Sequence, residues 1–211
     1  SVEDNADYLD QISPTVSMTG SVKIGSSTYS STSVSGVGET WFEMKGYEIA
    51  QGRGIEYMDI VNRKKVCVVG NYVAQTCFGG DAVGQSLKVG GTTFSIVGVM
   101  DQEAEEMEEG GTDDCVYVHY STAARLSFTG TISSYTITVT EEDYAALGKE
   151  SIETALYKIF QDEDAYTVVS MAEMLDTMTG MVNMVIAVLA SIAGISLLVG
   201  GTSRPHRSAA V

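Results

Sequence analysis

Histidine is nearly missing from this chain: His119 and His206 are the two present in 211 residues. Neither has an evident partner, and no G-x-S-x-G elbow supplies a nucleophile, so acid–base and serine-hydrolase chemistry are not expected. His119, inside an apolar stretch, reads as a structural strand residue. Phosphate-cradling motifs are missing too. The glycines of "GVGETWF" and "VVGNYV" do not complete G-x-G-x-x-G, and no G-x-x-x-x-G-K-[ST] occurs, so this chain is not expected to bind a dinucleotide that way or to hydrolyse ATP. Positive charge is scarce. Twelve Lys and Arg against 28 Asp and Glu leave a net charge of -16, which repels phosphate backbones and anionic lipid surfaces and excludes nucleic acid as a partner. Three cysteines do not make a disulfide scaffold. Cys67 reads as a small buried hydrophobe, which leaves Cys77 and Cys115 as a pair able to approach one another. The opening "SVEDNADYLDQI" has neither a basic nor an apolar leader region, so export is expected to be arranged by something upstream.

One long hydrophobic run stands out against this background. Met181 to Gly201 carries no charge, and Asn183 is its one strongly polar side chain. About 20 apolar residues suffice for a helix to cross a bilayer core. Gly180, Gly194, Gly200 and Gly201, with Ala187, Ala190, Ser191 and Ala193, give the small-residue surface that packed membrane helices use. The closing "TSRPHRSAAV" changes style and is expected to be an appended tail, although its arginines would also suit a cytoplasmic flank.

The rest of the chain alternates short strands and helices. Val2 to Ile12 suits a short helix before Pro14, and "TVSMTGSVKIG" and "STYSSTSVSGV" alternate as a hairpin around a Gly-Ser-Ser turn. A helical turn is expected around Trp41, Phe42 and Met44, ended by glycines at 46, 52 and 54. A buried strand at 66–69, a helix at 71–78 and a hairpin at Gly90 and Gly91 follow. "CVYVHY" is a strand and "STAARL" a short helix with Ser121 as its cap. "SSYTITVT" is a strand, Thr140 caps a helix from Glu141 to Phe160, "AYTVVS" is a strand, and a last helix starts at Met171. The fold class is therefore α+β. Residues 1–60 with 131–175 are expected to form one discontinuous subdomain of βαβ pieces, with 61–130 inserted as a β-rich unit and 176–201 leading into the membrane.

Three stretches taken in order, "RKKVCVVGNYVAQTCFGGDAVGQSLKVGGTTFSIVGVM", "CVYVHYSTAARL" and "ISLLVGG", resemble the extracytoplasmic core domain of MacB-type ABC transporter permeases, a group with LolC/LolE-like and FtsX-like relatives. The resemblance runs from Val2 to Gly201. It implies a porter-like subdomain near the membrane with an inserted sabre-like one, and a cell-membrane location with this domain on the extracytoplasmic side. It implies no cofactor, and as partners an ABC ATPase subunit or domain, a second permease copy, and an adaptor or other extracellular protein. The implied work is mechanical: coupling cytoplasmic ATP hydrolysis to motion outside, for export or release of peptide, lipid-linked or drug substrates. The alternative is an FtsX-like module that binds a cell-wall hydrolase or sensor.

Candidate residues follow from both readings. Gly52, Gly54 and Gly130 stand at the expected joints between subdomains. "DQEAEEMEEGGTDD" packs eight carboxylates into fourteen positions, among them Glu105, Glu106, Glu108, Glu109, Asp113 and Asp114. The EF-hand order is absent, so the segment reads as a solvated loop or a surface offered to a partner. Trp41, Phe42, Met44 and Tyr47 read as core, with a docking patch as the alternative.

Overall fold

The computed structural model describes residues 9–127 and 132–201. They divide into two compact units, the sheet-bearing residues up to Thr138 and the helices from Val139 onward.

In the first unit the strands are β1 (Leu9–Met18), β2 (Val22–Ile24), β3 (Ser27–Tyr29), β4 (Ser33–Val37), β5 (Ile49–Gly52), β6 (Val66–Val69), β7 (Ser86–Val89), β8 (Thr92–Met100), β9 (Cys115–His119) and β10 (Ser134–Val139). All ten join one sheet in the order β10-β1-β4-β9-β6-β8-β7-β2-β3, with β5 against the far end of β8. Most neighbours run antiparallel, but β4 lies parallel to β9 and β6 parallel to β8. The helices are α1 (Trp41–Lys45), α2 (Tyr57–Val61), α3 (Asn71–Phe78) and α4 (Tyr120–Leu126). The α+β class is as expected from the sequence. Strands from 1–60 and 61–130 interleave within the one sheet, since β2 pairs with β7 and β4 with β9.

The sheet is covered on both faces, which is why β6 reads as the unbroken apolar run "VCVV". Alternation sends Cys67 and Val69 to one face, with Val116, Val118, Phe94, Ile96 and the helix residues Val73, Ala74 and Ala123. Val68 goes to the other, with Trp41, Phe42, Ile55 and Cys115. Gly36 makes the first face possible, because a Cβ there would run into Ala123 and Tyr120 of α4.

Several local expectations are corrected. Leu9–Ile12 is strand, not the end of a helix, because Leu9–Met18 continues through Pro14 as β1, while residues 1–8 lie outside the described ones. The cap of α4 is His119 rather than Ser121: its ring Nδ1 accepts the Ser121 N–H at 3.2 Å. In the second unit, α5 (Ala145–Phe160) is preceded by a 3-10 turn, Glu142–Tyr144, where the sequence suggested a continuous helix from Glu141. Tyr166–Ser170 forms no strand; a 3-10 turn at Glu163–Ala165 precedes it and α6 (Met171–Gly201) follows at once. A β-rich composition does not make a strand where no neighbour supplies a ladder.

Candidate functional site

Three places in the fold carry the residues singled out above. The first is the bend after β5. Gly52 has φ 75° and pairs with Gly98 of β8. A Cβ on Gly52 would collide with the Val97 carbonyl, and one on Gly98 with the Arg53 carbonyl, so these glycines let two backbones touch. Gly54 has open space up to Phe42 at 3.8 Å. Gly130 lies outside the described residues.

Between those glycines sits an ion pair that the sequence did not announce. Asp59 of α2 is 2% exposed, and Arg53 reaches it bidentately at 2.6 and 3.1 Å. The Glu56 N–H donates at 3.2 Å and Lys64 stands 3.4 Å away. Burial alone raises a carboxyl pKa, but the Arg53 hydrogen bonds, that N–H and Lys64 together hold Asp59 below the ordinary range. The network clamps the chain from β5 through α2 to the start of β6. No spacing rule pairs residues six apart across a bend and a new helix, so no motif could have found it.

The second place is the acidic segment between β8 and β9. Asp113 and Asp114 are turned inward, 2% and 1% exposed. The Asp113 carboxylate accepts the N–H groups of Glu103 and Ala104, both at 3.0 Å, and Asp114 accepts that of Gly110 at 2.8 Å. These two carboxylates give the loop its shape, while Glu105, Glu106, Glu108 and Glu109 stay exposed. Ser31 donates to Glu109 at 2.8 Å. Among the described residues no three His, Cys, Asp or Glu stand close enough to hold a metal ion.

The third is α6, 31 residues long. Met171–Ser196 is long and apolar enough to cross a membrane, and none of its most apolar stretch is buried by protein. Within the second unit, Lys149 of α5 bonds to Glu173 in the first turns of α6 at 2.6 Å.

The remaining candidates are structural. Trp41 and Phe42 are buried, with Trp41 4.6 Å from Tyr117 and 5.4 Å from Tyr47 between ring centres. His119 is 4% exposed, and burial pulls its pKa below the ordinary value. Its Nδ1 also meets the Ser121 hydroxyl at 2.8 Å. All three cysteines are free thiols, so Cys77 and Cys115 are not bridged, and burial pushes the Cys115 thiol up to about 12.

Residues 1–155 match the family described as MacB-like periplasmic core domain. The macrolide export ATP-binding/permease protein MacB 1/2 of Paracoccus denitrificans is 30% identical over 197 residues, covering 92% of this chain and 29% of the relative. MacB 2 of Aeromonas hydrophila is 30% identical over 195 residues, covering 92% and 30%. The chain thus spans under a third of the length of these relatives. The crystal structure of the periplasmic region of MacB from Actinobacillus actinomycetemcomitans superposes with a TM-score of 0.71 at 20% identity, over 84% of this chain and 79% of that one. The extracellular domain of the ABC-type transporter YknZ from Gram-positive bacteria gives 0.64 at 15% identity, over 80% and 87%.

Proposed function

We infer a mechanical role for this chain, which belongs to the MacB-like periplasmic core domain family and lies on the extracytoplasmic side of a membrane. It couples ATP hydrolysis, carried out by a nucleotide-binding subunit or domain on the cytoplasmic side, to movement outside. That movement drives export or release of peptide, lipid-linked or drug substrates from a transporter holding two copies of the permease. The observation that carries this reading is the form of α6. Its first turns bear Glu173 and Asp176 and its remainder bears no charge, so one continuous helix leads from the aqueous side into the hydrocarbon. The Lys149–Glu173 bond latches that helix to α5, giving a displacement of the membrane segment something outside to pull on.

The expected subdomains, 1–60 with 131–175 and 61–130, would move about Gly52, Gly54 and Gly130. Because their strands share one sheet, the motion would be a bending of that sheet rather than a swing of two separate bodies. Proline at Gly52 is a poor probe, since φ 75° is closed to it. Gly54→Ala fits the available space and stiffens the same bend.

The test uses the full-length parent protein in nanodiscs, spin-labelled at Lys158→Cys on α5 of both copies. ATP should shift the distance between labels, and Lys149→Glu should abolish the shift while ATP hydrolysis continues. A distance indifferent to ATP would sink the coupling model. A second reading, an interaction module for a wall hydrolase or sensor, is favoured by one observation: Asp113 and Asp114 hold the acidic loop in a fixed shape that presents four glutamates. Capture of one such partner, lost when the four glutamates become glutamine, would support it.

A further inference from the structure

The charge of -16 conceals a local exception. Arg63, Lys65 and Arg125 gather at the end of the sheet where β6 and β8 begin and β9 ends, while the acidic loop occupies the other end of β9. Among the described residues none of the three forms an ion pair with a carboxylate; Arg125 donates to the Thr122 hydroxyl at 3.4 Å. They line two hollows of about 420 and 300 Å3 that share Arg63 and Arg125. The larger is completed by Tyr120 and Ser121 and by the apolar Ile60, Ala124 and Ile132. The smaller adds Lys65, Thr92 and Leu126.

The backbone supports a role for Arg63 beyond solvation. It ends α2 in the left-handed region, φ 51°, where the Lys64 N–H returns to the Asp59 carbonyl at 2.9 Å. Glycine takes this helix-ending position freely, whereas a side chain there is strained, and such outliers point toward function. Lys64, the neighbouring cation, is instead turned to Asp59.

We propose that these hollows bind a small amphiphile carrying one phosphate-type head. Two guanidinium groups with no carboxylate partner suit a tetrahedral oxyanion, which they can grip through paired N–H donors. Thr92 adds a hydroxyl donor, and the apolar wall takes the ligand's body. The site is independent of the transport reading.

The 211-residue chain in phosphatidylcholine nanodiscs would be titrated by calorimetry with hexyl phosphate, inorganic phosphate, hexanol and hexaglutamate. Hexyl phosphate should bind saturably and at least ten-fold more tightly than phosphate or hexanol. Arg63→Gly and Arg125→Gln should each weaken it ten-fold or more, with Lys88→Gln, on β7 and outside both hollows, unchanged. Arg63→Gly relieves the strained backbone, so its thermal midpoint should not fall; loss of ligand without loss of fold separates a binding role from a structural one. Equal binding of inorganic phosphate, tighter binding of hexaglutamate, or hexyl phosphate binding untouched by both variants would each overturn the proposal.

Discussion

Val66–Val69 and Val185–Leu189 are both strongly apolar, yet the strand residues are at most 8% exposed while Val185 and Leu189 remain 57% and 59% exposed. The strand is wrapped on both faces by its own chain, through α1 on one side and α3 and α4 on the other. Among the described residues nothing gives the helix such cover, and its apolar surface suits a different solvent, the hydrocarbon of a bilayer. Equal hydrophobicity thus serves opposite ends. In the sheet it excludes water by packing, and in α6 it fixes where the chain sits.

The sharpest way to break this comparison is to damage one region and look for effects in the other. Phe94→Ala, at a site 1% exposed, should cost about 4 kcal/mol of sheet stability, read by chemical denaturation, while membrane retention of α6 stays intact. Leu189→Arg should do the reverse. A cation at the centre of a membrane helix costs about 3 kcal/mol, so alkaline extraction should release the variant from membranes with the near-ultraviolet dichroism of the sheet unchanged. Joint loss in both variants would show that the regions fold as one.

Smaller effects sharpen the picture inside the sheet unit. Arg53→Met should destabilise by about 2 kcal/mol, because it leaves the Asp59 carboxylate buried with weaker company, and Asp59→Asn added to it should recover part of that loss. Arg63→Gly should stabilise by about 1 kcal/mol by removing a side chain from a left-handed backbone. The smallest effect concerns pH. Burial lowers the His119 pKa in the fold, so its contribution to stability is full above the unfolded value of about 6.5 and declines as pH falls below it toward the folded value. Unfolding free energy should therefore drop from pH 7 to pH 5, with His119→Gln flattening that part of the profile.

Much of this was legible in the residues. Buried β6, helix α3, the Gly90–Gly91 hairpin and the membrane-length run each carry a local signature of period, turn chemistry or length. The acidic segment was visible, but its division into two inward carboxylates and six outward ones was not, since all eight carry the same group in the sequence. The strand suggested for "AYTVVS" failed because a ladder needs a neighbour, which composition does not provide.

The sequence by itself determined the α+β class and the membrane-length helix, because each rests on pattern and composition along the chain. Only the tertiary structure decided that Arg53 grips Asp59, that Gly52 and Gly98 let two backbones touch, and that three cations gather at one end of the sheet. Those arrangements join residues through the register of one sheet, and register is a property of paired strands that no single segment contains.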